Sequence, residues 1–352
     1  MADFVYKKKS ELKQLPIEEV KKYYRDLREY EYNNNIPFKH VLFKDLVNPL
    51  LRLGLKFLRK VDGRKLEVIG DYRIKSSRPH IYACTHVGRY DTEICLEAMK
   101  DHAYLFYGDR EETYLNFDGR LIELNGAVCL DTGYITLPDK TVVFDEDCIN
   151  DRKIALKRMI QLIKQGQNAY VNPEGAWNIT PNNMVQPLYP GIIDMNFETD
   201  ADIIPIGVER IGDKFVVLIG RNIDFKKMTT LDLAKGYMED VFGITNENRV
   251  LPNYCNNLGS ILNRKEMLNY LRDALATLKW EILEREGQQS RADIPDNYED
   301  EYVNSIMCES EHYYTADIIR HTRFRDKKNP SPDEVFGPIR KLSKWNNLPK
   351  RG

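Results

Sequence analysis

His86 and Asp91 stand five positions apart in the run His86-Val87-Gly88-Arg89-Tyr90-Asp91. An imidazole beside a carboxylate is what a general base needs. The carboxylate holds one ring N–H, fixes the tautomer and supports the imidazolium that forms when the other nitrogen takes a proton. The reading requires a turn between the two residues, with His86 closing a strand and Asp91 opening a helix. A second role is open to the same residue types, because Asp91 is also a good N-cap for a helix beginning at Thr92.

The flanking sequence predicts those elements. KLEVIGDYRI (65–74) and HIYACTH (80–86) read as strands, DTEICLEAMK (91–100) as a helix and AYLFYG (103–108) as a strand. A further strand lies within LIELNGAVCLD (121–131), around Gly126. DRKIALKRMIQLIKQG (151–166) is a helix closed by Gly166, and NAYVNPEG (168–175) is a strand running into a Pro-Glu-Gly loop. Residues 201–225 read as two strands joined at Gly212-Asp213, and RKEMLNYLRDALATLKWEILERE (264–286) reads as a helix, as does the segment around LDLAKGYMEDVFG. Alternating strands and helices predict an α/β fold, a mixed sheet flanked by helices, with helical extensions at both ends.

The N-terminal extension is charged over 11–32 and reads as a surface helix after Pro16. In the next helix, 46–61, Leu46, Leu50, Leu53, Phe57 and Val61 form one apolar stripe. Arg52, Lys56, Arg59, Lys60, Arg64 and Lys65 surround it with positive charge. Such a helix suits an anionic membrane surface, or its stripe packs on the protein's own core. The division expected is an N-terminal segment 1–64, an α/β core 65–225 and a C-terminal extension 226–352, polar and proline-containing beyond about 290.

Other chemistries lack their signatures. The sequence contains no G-x-S-x-G, no G-x-G-x-x-G after a strand, no G-x-x-x-x-G-K-[ST] and no H-E-x-x-H. Its six histidines do not cluster at ligand spacing, so no metal site is expected. Six cysteines without a C-x-x-C argue against a disulfide scaffold and for a reducing compartment. A formal charge of −2 argues against a nucleic-acid partner. No signal-peptide core and no run of 18 apolar residues are seen, so the expected place is cytoplasmic, peripheral to the inner face of the membrane. Cys84 would share the His86 face of an extended strand, and we read it as a buried structural thiol.

Four blocks in order resemble the glycerolipid acyltransferase family, the group that includes the 1-acylglycerol-3-phosphate acyltransferases. His86 and Asp91 match its His-x4-Asp block. LIELNGAVCLDT resembles its second block, VNPEGAWN its Pro-Glu-Gly block and IIPIGV (203–208) its apolar-Pro-apolar block. The resemblance covers about residues 65–225. It implies an O-acyltransferase of lipid metabolism and phospholipid biosynthesis. Such enzymes move a fatty acyl group from acyl-CoA or acyl carrier protein, as co-substrate, to the hydroxyl of a lipid or other acceptor, with no bound cofactor. His86 would be the base and Asp91 its orienting group. Substrate-binding positions implied by the blocks are Gly88, Arg89, Gly126, Thr132, Pro173, Glu174, Gly175 and Trp177. Glu174 and Gly175 would lie in the acceptor pocket, although Pro173-Glu174-Gly175 also makes an ordinary turn.

The chain departs from the family where a phosphate is usually held. Thr132 stands where the second block usually ends in Arg, and Gly175-Ala176-Trp177 replaces Gly-Thr-Arg. The first block reads Thr85-His86-Val87-Gly88 rather than Asn-His-x-Ser. Arginine binds phosphate bidentately, so losing two should weaken a phosphorylated acceptor. The expectation is a retained engine and an unusual acceptor, with Trp177 available to stack on a sugar or apolar group, and with Arg89 and Arg120 as substitute cations or solvated surface charges. Two alternatives remain: a non-catalytic lipid- or partner-binding protein on the same fold, and an acyl thioesterase.

Overall fold

The computed structural model describes residues 4–38, 44–70, 78–87, 90–99, 101–108, 124–131, 134–136, 142–144, 146–175, 178, 184–232, 237 and 261–287. Gly88, Arg89, Arg120, Thr132 and Trp177 lie outside them, as do the chain beyond 287 and most of the helix expected around 231–243.

Seven strands form one mixed sheet: β1 (Lys65–Ile69), β2 (His80–Cys84), β3 (Ala103–Tyr107), β4 (Ala127–Cys129), β7 (Asn168–Val171), β8 (Asp202–Ile211) and β9 (Lys214–Ile219). β5 (Tyr134–Thr136) and β6 (Val142–Phe144) pair separately as an antiparallel hairpin. The sheet order is β1-β9-β8-β2-β7-β3-β4. Pairing is parallel except between β8 and β9, the hairpin closed at Gly212, so β1 and β9 run against the other five. β2 is buried along its whole length, as a strand covered on both faces must be.

Alternation along the strands splits the core in two. Ile81 and Ala83 of β2 face one layer with α5 (Cys148–Lys164), α6 (Gly191–Glu198) and α7 (Arg264–Arg285). Tyr82 and Cys84 face the other, with α4 (Asp91–Ala98) and, at its margin, Leu55 of α3 (Lys44–Val61). Two short α7 contacts depend on glycine. A Cβ on Gly207 of β8 would sit 2.7 Å from the Leu278 Cβ, and one on Gly220 would sit 2.9 Å from its Cδ1.

The N-terminal helices are α1 (Lys9–Leu12) and α2 (Ile17–Asn33), separated at Pro16. α2 lies against α5 through the buried Arg28–Asp151 pair at 2.9 Å. α3 turns Arg52 and Arg59 toward the protein. Arg59 makes two bonds to Glu97 of α4 at 2.7 and 2.8 Å, and Arg52 donates to the Met99 carbonyl. Its apolar stripe faces outward instead: Leu46, Leu50, Leu53, Phe57 and Val61 are 62% to 67% exposed. Among the described residues that stripe does not pack on the core, the second of the two readings open from sequence.

Candidate active site

β2 and β7 are parallel neighbours, with Ala83 paired to Val171. Their carboxyl ends therefore leave the sheet at the same edge, the edge where open α/β sheets place their ligands. β2 runs on into Thr85-His86, and β7 into Asn172-Pro173-Glu174-Gly175.

Thr85 is locked to β8. Its backbone N–H donates to the Ile206 carbonyl, and its hydroxyl both accepts from the Val208 N–H at 2.8 Å and donates to the Val208 carbonyl. The chain then turns back. Tyr90, a non-glycine residue at φ +82°, sits at the reversal, and the Arg64 guanidinium covers its ring at 3.7 Å. The turn brings Asp91 Oδ2 to 2.8 Å from His86 Nδ1, and the same oxygen accepts the Val87 N–H at 2.7 Å. Asp91 is the first residue of α4, Tyr90 is its N-cap, and no side chain caps the helix. The carboxylate is thus turned toward His86 and does not serve as the cap that its residue type also allowed. The Asp91 side chain is 1% exposed and that of His86 13%, so the imidazole reaches the surface over a buried carboxylate.

With Nδ1 facing a carboxylate, Nδ1 carries the ring proton and Nε2 is the basic nitrogen. A carboxylate at a helix start also meets the positive end of the helix dipole. This is the arrangement of an oriented general base.

Glu174 is fully buried. One oxygen accepts the backbone N–H of His86 at 2.9 Å, and the other accepts the backbone N–H of Gln186 at 2.8 Å. Burial pushes its carboxyl up from the ordinary range; Lys279, the two N–H groups and His86 oppose that push. Both Glu174 oxygens are engaged inside the protein. Its geometry is that of a clamp between the His86 loop and the 184–188 segment.

Pro173, Glu174 and Gly175 make a tight turn: the Gly175 N–H donates to the Asn172 carbonyl, and Gly175 has φ +69°. The Tyr189 N–H donates to the Pro173 carbonyl at 2.8 Å. Asn172 reaches across to the Cys84 carbonyl, and the Asn178 N–H donates to the His86 carbonyl. Gly126 lies at the start of β4 with φ +93°, and a Cβ there would meet the Tyr104 ring at 2.6 Å. Asp131, next to Thr132, is buried and pairs with Lys21 and Arg25 of α2, each at 3.2 Å.

Cys84, Cys95, Cys129 and Cys148 are buried. Burial, then the neighbouring Cys95, pushes the Cys84 thiol well up, which leaves it a poor nucleophile. Among the described residues no group of three or more His, Cys, Asp or Glu could hold a metal ion.

Sequence reasoning passed over Tyr90, Asn172, Asn178, Gln186, Glu209 and Lys279. Tyr90 lay inside the quoted block without a visible reason for its backbone conformation. Lys279 sits in an otherwise ordinary amphipathic helix, and only its complete burial against Glu209 sets it apart.

Residues 65–209 match the model of a protein family described as Acyltransferase. The matched stretch contains all four blocks quoted above. No curated protein matches the chain. Among solved structures, the crystal structure of the 1-acyl-sn-glycerophosphate (LPA) acyltransferase PlsC from Thermotoga maritima is similar at 15% identity and a TM-score of 0.46, over 76% of this chain and 90% of that one.

Proposed function

We propose that this chain, whose residues 65–209 match an acyltransferase-family model, transfers a fatty acyl group from a thioester donor to the hydroxyl of a lipid acceptor. The observation that carries the reading is the 2.8 Å contact between His86 Nδ1 and Asp91 Oδ2 at the carboxyl edge of β2.

The acceptor oxygen attacks the thioester carbonyl while His86 Nε2 takes its proton. The tetrahedral intermediate collapses, the C–S bond breaks, and the imidazolium returns the proton to the leaving sulfur. An aliphatic hydroxyl does not ionise near neutrality, so the base acts during attack, a contribution of roughly 10²–10⁴ in rate. Asp91 holds the tautomer and steadies the imidazolium. No acyl-enzyme is needed, consistent with the inert Cys84.

The donor is acyl-CoA or acyl carrier protein, and no resident cofactor takes part. Thr132 and Trp177 stand where phosphate-binding arginines are usual, so the acceptor differs from lysophosphatidic acid in the group held there. At the end of the second block, the cations Lys21 and Arg25 are paired with Asp131.

α3 is the membrane-facing element of this reading. Its exposed apolar row, with Lys56 and Lys60 exposed beside it, suits an anionic bilayer that supplies the acceptor. Among the described residues no helix is long and apolar enough to cross a membrane. The enzyme would work at the inner face of the cytoplasmic membrane.

The test is thiol release from acyl-CoA and from acyl carrier protein with a panel of hydroxyl acceptors. Release should depend on the acceptor, and His86→Ala should cut it at least a hundredfold. Release without acceptor would make the protein a thioesterase. Vesicle binding with no transfer to any acceptor would make it a lipid-binding protein on the same fold.

A further inference from the structure

The family match begins at residue 65, and Arg64 lies just before it. Local hydrogen bonds fix where Arg64 stands. The Gly63 N–H donates to the Lys60 carbonyl and the Arg64 N–H to the Arg59 carbonyl, each at 3.1 Å, so the chain leaves α3 through Gly63 at φ +70°. Arg59 Nη1 donates to the Arg64 carbonyl at 2.9 Å, while the other guanidinium nitrogens of Arg59 hold Glu97. The Arg64 side chain is 13% exposed, and its guanidinium carbon lies 3.7 Å from the centre of the Tyr90 ring. Its Nη2 donates to Asp62 at 2.5 Å, and its Nε is buried with no hydrogen-bond partner among the described residues. A buried N–H without an acceptor costs free energy, so contact with the ring, and not a hydrogen bond at Nε, sets that part of the guanidinium.

The end of α3 thereby clasps α4 twice: Arg64 covers Tyr90, the N-cap, and Arg59 holds Glu97 near the other end. The first contact bears on the site. Tyr90 has φ +82° and ψ −9°, a left-handed conformation that a non-glycine residue keeps only where its surroundings hold it. Its carbonyl accepts the Ile94 N–H at 2.9 Å, the first bond of α4, and its ring packs on the core layer of Tyr82 and Cys84. Asp91 follows directly, and its Oδ2 meets both His86 Nδ1 and the Val87 N–H.

We propose that Arg64 is a positioning residue for the His86–Asp91 couple: stacked on Tyr90, it holds the left-handed reversal that returns the Asp91 carboxylate to His86. The consequence for turnover rests on the acyl-transfer reading, whereas the contacts stand without it. A glycine at position 90 would take the same backbone conformation without strain and would need no such cover.

The experiment compares wild type, Arg64→Ala, Tyr90→Gly and the double variant Arg64→Ala/Tyr90→Gly. Two quantities are read: kcat and KM for thiol release, and hydrogen exchange at the Val87 amide, with the β2 amides as the reference for an intact fold. Arg64→Ala should lower kcat about tenfold and leave KM within about twofold of wild type. The Val87 amide, which donates to Asp91, should exchange about tenfold faster while the β2 amides keep their protection. In the Tyr90→Gly background the same substitution should change either quantity by less than about twofold, because glycine holds the reversal unaided. An Arg64 that served the fold alone would act alike in both backgrounds. Equal losses in the two backgrounds, unchanged Val87 exchange in Arg64→Ala, or faster Val87 exchange with unchanged kcat each overturn the inference. If Arg64→Ala does not fold, Arg64→Lys, which keeps the charge but not the flat guanidinium, is read in the same way. Wild-type protein that transfers no acyl group overturns the proposed function, and Val87 exchange in the two backgrounds then decides the clasp by itself.

Discussion

The backbone N–H of His86 and the carboxylate of Glu174, 88 positions further along the chain, meet at 2.9 Å inside the protein. The bond ties the loop that carries the imidazole to the loop after the neighbouring strand. The Pro-Glu-Gly turn therefore bears on the chemistry through where it holds His86. Asp91 completes the arrangement by taking both the His86 ring and the Val87 N–H on one oxygen.

Asp91→Asn should keep the fold and lose most of the activity. The amide can still fill the space, but it presents a weaker and ambiguous partner to Nδ1 and no charge to the imidazolium. A fall in kcat of about two orders of magnitude is expected, with KM little changed. Steady-state kinetics of thiol release check this, and a large rise in KM at constant kcat would place Asp91 in binding instead.

Glu174 should give stability a pH slope. Its folded-state pKa is raised, burial being the main cause, so between the ordinary carboxylate range and that raised value the folded state binds more protons than the unfolded. Its contribution to stability is fully present below the unfolded pKa and declines as pH rises through this window. The unfolding free energy of wild type minus that of Glu174→Gln should therefore fall with rising pH, as measured by urea titration at several pH values. A difference constant across pH would mean that Glu174 is not perturbed.

α3 should carry the protein to anionic vesicles. Leu53→Asp with Phe57→Asp removes two exposed apolar contacts, and Lys56→Glu with Lys60→Glu reverses two exposed charges. Each pair should reduce co-sedimentation several-fold, and high salt should act like the charge pair because it screens those groups. Arg52 and Arg59 are unsuitable targets because both brace α3 on the residues of and just after α4. Unchanged sedimentation would assign the exposed row to another partner.

Two glycine substitutions should move stability in opposite directions. Gly207→Ala places a methyl 2.7 Å from the Leu278 Cβ and should destabilise by about 1–3 kcal/mol through overpacking. Gly54→Ala, in the interior of α3 with nothing within 4 Å of the new methyl, should stabilise by about 0.5–1 kcal/mol. Chemical denaturation of each variant gives both values. Loss of kcat in Gly207→Ala beyond the loss of folded protein would tie α7 docking to the site.

What the amino-acid sequence determined by itself is local. The strand–turn–helix around His86 and Asp91, the Pro-Glu-Gly turn and the amphipathic periods of α3 and α7 arise from residues a few positions apart, and their spacing is readable directly. The acyltransferase blocks were legible for the same reason, each being a short run. Short apolar segments were less so: α6 (Gly191–Glu198) and the β5–β6 hairpin were not foreseen, because such brief runs suit helix and strand alike. The tertiary structure decided the rest. The strand order made β2 and β7 neighbours and so set Glu174 beneath His86. It turned the apolar stripe of α3 to solvent, and it buried Lys279 against Glu209. These pairings join segments tens of residues apart. Which distant charge meets which carboxylate depends on how whole elements pack, and local spacing carries no record of that.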